Sequence, residues 1–399
     1  MTAAAAARAD GWGRPVTLVR KLERAIAQGH PWLWREALAP FEASPGEVLR
    51  IVDKRGRFLA RGLAESGPIG ARLFTTEERV AVDERLVARR IDAACALRDR
   101  VVPADTTAYR LLHGEGDRLP GVVCDVYGAY AVLRFDGEAS LAWRGVVVGA
   151  LEAPLAARAV EHLLVRGTRK GGEGVELAFG TLPSEPVLVR ERGMKLLADL
   201  ISGQKTGLFI DHRDSRARVR ELAKKARVLN LFGYTGGFSV AAGLGGAAHV
   251  TTVDLAGPAL ELAAQSWQEN DLATSRHTVH RGDAFEFLAA ARERRESFDL
   301  VVSDPPSFAP SESSVPAALA SYERLHKACL ATVAPGGLYL AASCSSHVRA
   351  DRFEETVLAA AKHRTLPLQL LDRSGAAADH PRLFAFPEGD YLKSVLVRA

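Results

Sequence analysis

Short apolar segments alternate with helical stretches from about residue 194 to the end of the chain. The apolar segments include Arg227–Leu231, His249–Asp254, 300–304 and 337–343. Such alternation favours an α/β fold in which parallel strands are joined by crossover helices. Because the carboxyl ends of parallel strands share one edge of the sheet, a ligand site is expected at that edge.

The first half of the chain has a different pattern. Residues 16–73 hold short alternating segments broken by Gly and Pro, which predict a small β-rich module. Residues 106–188 mix a hairpin, a helix and a further strand, as in a small α+β domain. A chain of 399 residues also favours two or three domains. We expect a disordered tail at 1–15, a β-rich domain and connector at 16–100, a central α+β domain at 101–190 and an α/β domain at 191–399.

The four cysteines are scattered and form no CxxC pair, so neither a disulfide framework nor a zinc site is expected. Reduced thiols favour a cytoplasmic protein. No apolar run of membrane-spanning length is present in the sequence, so no membrane partner is expected. The net charge of +4 permits nucleic-acid binding without arguing strongly for it.

A glycine-rich turn marks the candidate cofactor site. The apolar strand 228–232 leads directly into Gly233-Tyr234-Thr235-Gly236-Gly237, where glycines let the backbone approach a ligand closely. Asp254 ends the next strand roughly 20 residues later, a position suited to ribose hydroxyls. Asp283 follows a third strand and suits an adenine amino group. The full G-x-G-x-x-G pattern is missing, which disfavours a dinucleotide.

Two further strand ends carry candidate catalytic groups. Asp304-Pro305-Pro306 forms a stiff turn after an apolar strand, because proline fixes φ and lacks an N–H. Cys344 follows the next strand between two serines, where a thiolate could act as a nucleophile. Addition of a thiolate to C6 of a pyrimidine would activate C5 for methyl transfer, and Asp304 is the candidate acid near N3. The other three cysteines are expected to be small buried residues.

These motifs resemble those of the large-subunit ribosomal RNA (cytosine-C5)-methyltransferase I family over nearly the whole chain. The N-terminal resemblance lies in Gly29-His30-Pro31-Trp32 and in residues 110–121. The C-terminal resemblance lies in residues 203–213, in 230–238, in Asp254, Asp283, Asp304-Pro305-Pro306 and Ser343-Cys344-Ser345, and in 379–381 and 387–393. Relatives often carry a basic residue after the Pro-Pro pair, where this chain has Ser307.

The resemblance implies an N-terminal PUA-like RNA-binding domain, a central α+β domain and a Rossmann-like class I methyltransferase domain that uses S-adenosylmethionine. It implies large-subunit ribosomal RNA as the partner, Cys344 as nucleophile and Asp304 as the assisting acid. The residues it implies at the cofactor are Asp211, Asn230, Phe232, Tyr234, Thr235, Gly236, Gly237, Asp254, Asp283, Ala284, Asp304 and Pro305. The residues it implies at the RNA are Lys205, Arg213 and Pro306, and no metal is expected.

Two other functions remain open from the residues. Asp304-Pro305-Pro306 could hold an exocyclic base amine for methylation, which requires no thiol. The chain could also be a non-catalytic RNA-binding or ribosome-assembly protein, although the series of acids at strand ends disfavours this. Replacement of Cys344 by alanine separates the first alternative from C5 chemistry, and a donor-binding assay tests the second. The basic loop Arg169-Lys170-Gly171-Gly172 is a candidate phosphate contact, and a homodimer is compatible with the sequence.

Overall fold

A computed structural model describes residues 11–167, 174–362 and 366–399. The chain forms two compact units. The N-terminal unit contains Met1–Pro103, Ala108–Ser184 and Ala378–Gly389, and the C-terminal unit contains Ala104–Thr107, Glu185–Ala377 and Asp390–Ala399. The basic loop Arg169-Lys170-Gly171-Gly172 and the first ten residues of the expected tail lie outside the described residues. The domain boundaries expected at residues 15, 100 and 190 stay predictions.

The N-terminal unit begins with a five-stranded sheet, which confirms the predicted β-rich module. Its strands are β1 (Arg14–Thr17), β2 (Trp32–Trp34), β3 (Val48–Val52), β4 (Phe58–Ala64) and β5 (Ile69–Thr75), in the order β1-β3-β4-β5-β2. A short helix, α1 (Glu23–Ala27), packs Ile26 into the small core beside Leu33 and Leu49.

A second five-stranded sheet completes this unit. Its strands are β6 (Ala108–His113), β7 (Val122–Tyr127), β8 (Tyr130–Phe135), β9 (His162–Arg166) and β10 (Val175–Phe179), in the order β10-β9-β8-β7-β6. Its helices are α2 (Glu84–Val101), α3 (Glu138–Ala142) and α4 (Arg144–Ala156). One apolar core joins both sheets, because Val48 and Leu63 of the first pack with Leu111 and Trp143 of the second region. The Trp143 indole also donates to the Gly46 carbonyl at 2.8 Å.

The segment Ala378–Gly389 returns to the N-terminal unit from the far end of the chain. Asp379 is fully buried there, and its carboxylate accepts the Arg110 N–H at 2.9 Å. The Asp379 carbonyl accepts from the Arg98 guanidinium at 2.8 Å, and the Phe386 ring lies 4.7 Å from the Trp32 ring. This segment therefore supplies buried hydrogen-bond partners to elements that precede it by more than 200 residues.

The C-terminal unit is built on a seven-stranded sheet with helices on both faces. A two-stranded ribbon, β11 (Val187–Glu191) and β12 (Met194–Ala198), precedes it. The sheet strands are β13 (Arg227–Leu231), β14 (His249–Asp254), β15 (His277–Arg281), β16 (Phe298–Ser303), β17 (Val333–Ser343), β18 (Gln369–Gly375) and β19 (Lys393–Arg398). The helices are α5 (Arg213–Leu222), α6 (Gly237–Leu244), α7 (Gly257–Glu269), α8 (Ala284–Glu293), α9 (Val315–Leu330) and α10 (Ala350–Ala360).

The sheet order is β15-β14-β13-β16-β17-β19-β18, with β13 to β17 parallel and β19 antiparallel to both neighbours. Successive side chains of a strand point to opposite faces. Leu229 and Leu231 accordingly pack with α8, α9 and α10, whereas Val228 packs with α5, α6 and α7. Burial on both faces explains the continuous apolar segments in the sequence. The carboxyl ends of β13, β14, β16 and β17 meet at one edge. No helix in the described ranges is both long and apolar enough to cross a membrane.

Candidate active site

A cavity of about 310 Å³ lies at this edge of the C-terminal unit. Twelve of the residues predicted from the sequence line it. They are Lys205, Asp211, Phe232, Tyr234, Thr235, Gly237, Asp254, Ala284, Asp304, Pro305, Pro306 and Cys344. The structure therefore gathers the glycine-rich turn, the Asp-Pro-Pro turn and the candidate nucleophile around one space.

The glycine-rich turn is held in an unusual backbone conformation. Phe232 and Tyr234 have φ values of 57° and 45°, which side-chain-bearing residues rarely adopt. Gly236 has a φ of 77° and precedes α6, and a Cβ atom there would lie 2.7 Å from the Ala263 Cβ. Glycine at this position thus lets α7 pack against the turn and leaves the first N–H groups of α6 near the cavity.

Asp254 fixes the turn from the neighbouring strand. One carboxylate oxygen accepts the Tyr234 N–H and the other accepts the Ala256 N–H, each at 2.8 Å. The carboxylate therefore stands at the end of β14 with both oxygens oriented by the backbone. Each oxygen has a second lone pair with which it can accept from a hydroxyl of a ligand.

Four predicted site residues lie outside the cavity lining. Gly236 lies on the side of the turn that packs against Ala263 of α7. Asn230 is 1% exposed and donates to the Ser239 hydroxyl at 2.8 Å, so it braces β13 against α6. Asp283 caps α8 by accepting from Phe285 N at 2.8 Å and Glu286 N at 3.1 Å, while its neighbours Gly282 and Ala284 line the cavity.

Arg213, expected at the RNA, requires a correction. It is 1% exposed at the start of α5, so its guanidinium does not lie on a surface that RNA could reach in this conformation. The sequence prediction placed it with Lys205 because both belong to the same motif. Helix α5 turns Arg213 inward, whereas Lys205 keeps 42% of its side-chain surface exposed.

The candidate nucleophile lies directly after β17. Cys344 is partly exposed to the cavity, and its Sγ atom lies 4.0 Å from the Pro305 carbonyl oxygen. Cys95, Cys124 and Cys329 are at most 6% exposed, as predicted for small buried residues. Cys344 is therefore the cysteine that both solvent and a ligand in the cavity can reach.

Hydroxyl groups hold the residues on both sides of Cys344. The buried phenol of Tyr322 lies 2.8 Å from the Ser343 hydroxyl and 2.8 Å from the Ser345 hydroxyl. The Ser345 hydroxyl also lies 3.0 Å from that of Ser307. Ser307 thus links the Asp-Pro-Pro turn to the loop that contains Cys344.

A histidine that the sequence did not single out faces Asp304. The His212 Nε2 atom lies 3.2 Å from an Asp304 carboxylate oxygen, and His212 is 2% exposed. Burial lowers the pKa of His212, but the carboxylates of Asp304 and then Asp211 outweigh it, so the pKa is raised above its ordinary value. These carboxylates therefore stabilise a proton on His212 beside the cavity.

The thiol of Cys344 lies among charged groups. Burial, and next the charge of Asp304, raise the pKa of this thiol, Lys205 opposes them, and Asp211 adds to the rise. The Lys205 Nζ atom lies 3.8 Å from an Asp211 oxygen, which also accepts the Tyr391 hydroxyl at 2.8 Å. The thiol is thus mostly protonated near neutral pH and needs a positive partner or a base to react.

Sequence reasoning missed His212, Tyr322 and Tyr391. His212 lies between two residues of a quoted motif, so its position next to Asp211 was a usable signal. Tyr322 lies within α9, whose sequence has the pattern of an ordinary amphipathic helix. The position of Tyr322 in that pattern does not reveal its contacts to Ser343 and Ser345. Across the described residues, no cluster of three or more His, Cys, Asp or Glu side chains is arranged to hold a metal ion.

The comparisons with known proteins agree with this arrangement. Residues 138–382 match the model of the S-adenosylmethionine-dependent methyltransferase family, and residues 16–76 match a PUA-like domain. A putative S-adenosylmethionine-dependent methyltransferase from Streptococcus mutans has the same fold, with a TM-score of 0.85 and 23% identity over 96% of this chain and 100% of that chain. A putative methyltransferase complexed with SAH has a TM-score of 0.86 and 23% identity over 97% and 100%.

Curated relatives give higher identity. A protein from Cronobacter sakazakii named ribosomal RNA large subunit methyltransferase I is 37% identical over 386 residues, covering 95% of this chain and 97% of the relative. A protein of the same name from Citrobacter koseri is 36% identical over 391 residues, covering 96% and 98%.

The fold and the cavity at the strand ends define a class I, Rossmann-like methyltransferase that depends on S-adenosylmethionine and carries an N-terminal PUA-like domain. Within that class, the chain belongs to the ribosomal RNA large subunit methyltransferase I family. The fold class and the cofactor expected from the sequence are confirmed.

The residues around the cavity suit this donor. Asp254 presents carboxylate oxygens of the kind that bind ribose hydroxyls, and the turn 233–237 presents backbone N–H groups and little side-chain bulk. Phe232 and Leu255 offer apolar surface of the kind that flanks an adenine ring. Asp211 and Asp304 also line the cavity and place two carboxylates on its wall.

Proposed function

We propose that this protein methylates C5 of a cytosine in RNA, and that the RNA is large-subunit ribosomal RNA. The base would form a transient covalent adduct through its C6 atom with Cys344. The observation that carries this proposal is the position of Cys344, a partly exposed thiol in the same cavity as Asp304 and the glycine-rich turn. Methylation of an exocyclic amine does not use a thiol, so that alternative leaves Cys344 without a role.

The chemistry assigns a step to each group. The Cys344 sulfur, once deprotonated, adds to C6, and the electron pair of the C5–C6 double bond becomes available at C5. The Asp304–His212 pair can deliver a proton toward N3 of the base as negative charge develops there. The donor, when bound, supplies an electrophilic methyl group to C5. Loss of the C5 proton to a base then expels the Cys344 sulfur from C6 as a thiolate. The N3 proton returns to the Asp304–His212 pair, which restores the ring as 5-methylcytosine and leaves S-adenosylhomocysteine as the second product.

Support for an RNA substrate comes from the N-terminal unit and from the relatives. Residues 16–76 match a PUA-like domain, and the curated relatives carry ribosomal RNA large subunit methyltransferase in their names. Lys205 and Pro306 line the cavity and are the proposed contacts to the target nucleotide. A cytosine inside a helix would have to leave its stack to reach Cys344, as bases do in other enzymes that modify them.

The proposal is tested by methyl transfer from labelled donor to ribosomal RNA from cells lacking this protein. The wild type and Cys95→Ala, a buried cysteine in α2, should both label the RNA, and digestion should give 5-methylcytidine. Cys344→Ala should lose labelling while it keeps donor affinity, measured by calorimetry with S-adenosylhomocysteine.

A second assay isolates the adduct. RNA that contains 5-fluorocytidine cannot release a proton from C5, so the wild type should form a complex that survives denaturing electrophoresis, and Cys344→Ala should not. Undiminished labelling by Cys344→Ala, or a product methylated on a base amine, would refute C5 chemistry. Absence of any methylated product with intact donor binding would favour a non-catalytic RNA-binding role.

A further inference from the structure

Arg216 is a buried arginine on the cavity wall that no sequence motif marked. It lies one helical turn after His212 on α5, and its side chain is 4% exposed. The carboxylate of Glu191, the last residue of β11, accepts from the Arg216 Nε atom at 2.7 Å and also from the terminal nitrogen Nη2. This two-point contact along one edge fixes the orientation of the guanidinium.

The second terminal nitrogen of Arg216 is open to the cavity. This atom, Nη1, makes no hydrogen bond with the described residues, and it does not belong to the fully enclosed polar atoms that lack a partner. A guanidinium has five N–H donors, and Glu191 accepts from two of its nitrogens. A donor group inside a protein is costly when it has no acceptor, so Nη1 suits an acceptor that a ligand brings.

The open nitrogen also lies at the start of helix α6. A Cβ atom on Gly237, the first residue of α6, would lie 3.0 Å from the Arg216 Cδ atom and 3.6 Å from Nη1. The first N–H groups of a helix lack intrahelical acceptors, and the helix dipole favours negative charge there. The guanidinium and the helix start therefore offer N–H donors and positive charge to the same part of the cavity, which suits a small anion.

The neighbouring carboxylates keep Arg216 charged without occupying Nη1. Burial lowers the pKa of Arg216, but the charge of Glu191 outweighs it. Asp211 and Asp304 add to the rise, so the pKa lies above its ordinary value and the guanidinium stays protonated. Each of these two aspartates has a basic neighbour of its own, at 3.8 Å and 3.2 Å, which reduces their repulsion of an entering anion.

We propose that Arg216, oriented by Glu191, binds the α-carboxylate of S-adenosylmethionine. The carboxylate belongs to the amino-acid end of the donor, and the ribose lies on the other side of the donor's sulfur. Asp254, which suits the ribose, accepts from Tyr234 near the start of the glycine-rich turn, whereas Arg216 lies against Gly237 at its end. An RNA phosphate is the other available anion, but the burial of the side chain favours a ligand that enters the cavity whole.

The test compares two ligands that differ only in the carboxylate, S-adenosylhomocysteine and its decarboxylated analogue S-adenosyl-3-thiopropylamine. Both are titrated into the full-length protein by calorimetry. We expect the wild type to bind S-adenosylhomocysteine about ten- to a hundredfold more tightly than the analogue, as expected for a hydrogen bond between charged groups. Arg216→Met should lose most of this preference, because its affinity for S-adenosylhomocysteine falls while its affinity for the analogue stays near the wild-type value.

Arg218→Met is the matched control. Arg218 lies on the same helix and also pairs with a carboxylate, that of Glu221 at 2.9 Å, but it is 42% exposed and lies outside the cavity lining. This variant should keep the wild-type preference for S-adenosylhomocysteine. Loss of the preference in Arg218→Met as well would show that the change in Arg216→Met is not a contact with the carboxylate, and would overturn the proposal.

Other outcomes overturn the proposal in different ways. A purely structural role for Arg216 would weaken the binding of both ligands equally. Equal binding of the two ligands by the wild type would also refute the contact, and this measurement needs no variant that folds. Loss of the preference in Lys205→Met but not in Arg216→Met would transfer the contact to Lys205.

A phosphate at Arg216 gives a distinct result. Arg216→Met would then bind S-adenosylhomocysteine as the wild type does and would bind ribosomal RNA more weakly in a filter-binding assay, which also overturns the proposal. None of these measurements uses methyl transfer, so the inference about Arg216 does not depend on the C5 chemistry proposed for Cys344. Failure of that chemistry appears separately, as retained RNA methylation by Cys344→Ala.

Discussion

Replacement of Asp254 by asparagine should weaken donor binding far more than it weakens the fold. The carboxylate accepts two backbone N–H groups at 2.8 Å, those of Tyr234 and Ala256. Asparagine offers one oxygen and one NH2 group, so one of these N–H groups would face another donor. A hydrogen bond to a charged group contributes about 1.5–3 kcal/mol.

Loss of this hydrogen bond should weaken donor binding, because the Asp254 carboxylate holds the glycine-rich turn in its conformation. Phe232 and Tyr234 hold positive φ values, and without the second anchor they can relax to easier conformations. Donor binding must then rebuild the turn, and at about 1.4 kcal/mol per factor of ten the dissociation constant should rise about ten- to a hundredfold. Loss of the proposed contact between Asp254 and the ribose would add to this.

Isothermal titration calorimetry with S-adenosylhomocysteine measures the change directly. Asp299→Asn is the matched control, because the Asp299 carboxylate accepts the Arg227 N–H at 2.8 Å at the other end of the same sheet. We expect the control to bind as the wild type does, and Asp254→Asn, which loses a hydrogen bond that the donor-free protein also makes, to melt several degrees below the wild type while remaining folded. A dissociation constant for Asp254→Asn within about threefold of the wild-type value, which corresponds to about 0.7 kcal/mol, would contradict this expectation.

Three further predictions concern the surroundings of the site. Tyr322→Phe removes both hydroxyl contacts, to Ser343 and to Ser345. Single-turnover methylation should therefore slow by about tenfold, the equivalent of about 1.4 kcal/mol, while the donor affinity measured by calorimetry stays unchanged. Equal methylation rates for the variant and the wild type would show that these contacts do not position Cys344. Gly236→Ala should abolish measurable donor binding because of the 2.7 Å approach to Ala263, whereas Gly246→Ala, at a φ of 84° with open space around it, should bind normally. Burial lowers the pKa of His277 from 6.5 to about 4, so as the pH falls the unfolded chain takes up a proton at this ring before the folded protein does. The contribution of His277 to the free energy of unfolding is therefore complete above pH 6.5 and is lost as the pH falls toward 4. Urea unfolding at neutral pH and between these two values should show this fall, and His277→Gln should reduce it.

The strands of the central sheet could be predicted because each is recognisable from its own short stretch of sequence. Strands buried on both faces read as continuous apolar runs, and each ends at a residue whose type suits the ligand edge, as Asp254 and Cys344 do. The antiparallel strand β19 between β17 and β18 was not predicted. Its pairing with β17 joins residues some fifty positions apart, and no spacing rule reports such a pair.

The candidate site was predictable in its loops and less so in its supports. The glycine turn and the Asp-Pro-Pro turn carry backbone requirements that the sequence displays. His212 faces a partner that lies far away along the chain, Asp304, and no local pattern reveals that pair. Asn230 and Arg213 were expected at the ligand because each lies within a motif, whereas both are buried and neither lines the cavity.

The return of residues 378–389 to the N-terminal unit has a consequence for anyone who wishes to study that unit alone. A fragment that ends near residue 184 would lack Asp379, and with it acceptors for the Arg98 guanidinium and the Arg110 N–H. Arg98 is 1% exposed, so its charge would remain in the interior with fewer partners. Dissection of this protein should therefore graft the twelve-residue segment back through a linker rather than truncate the chain at one point.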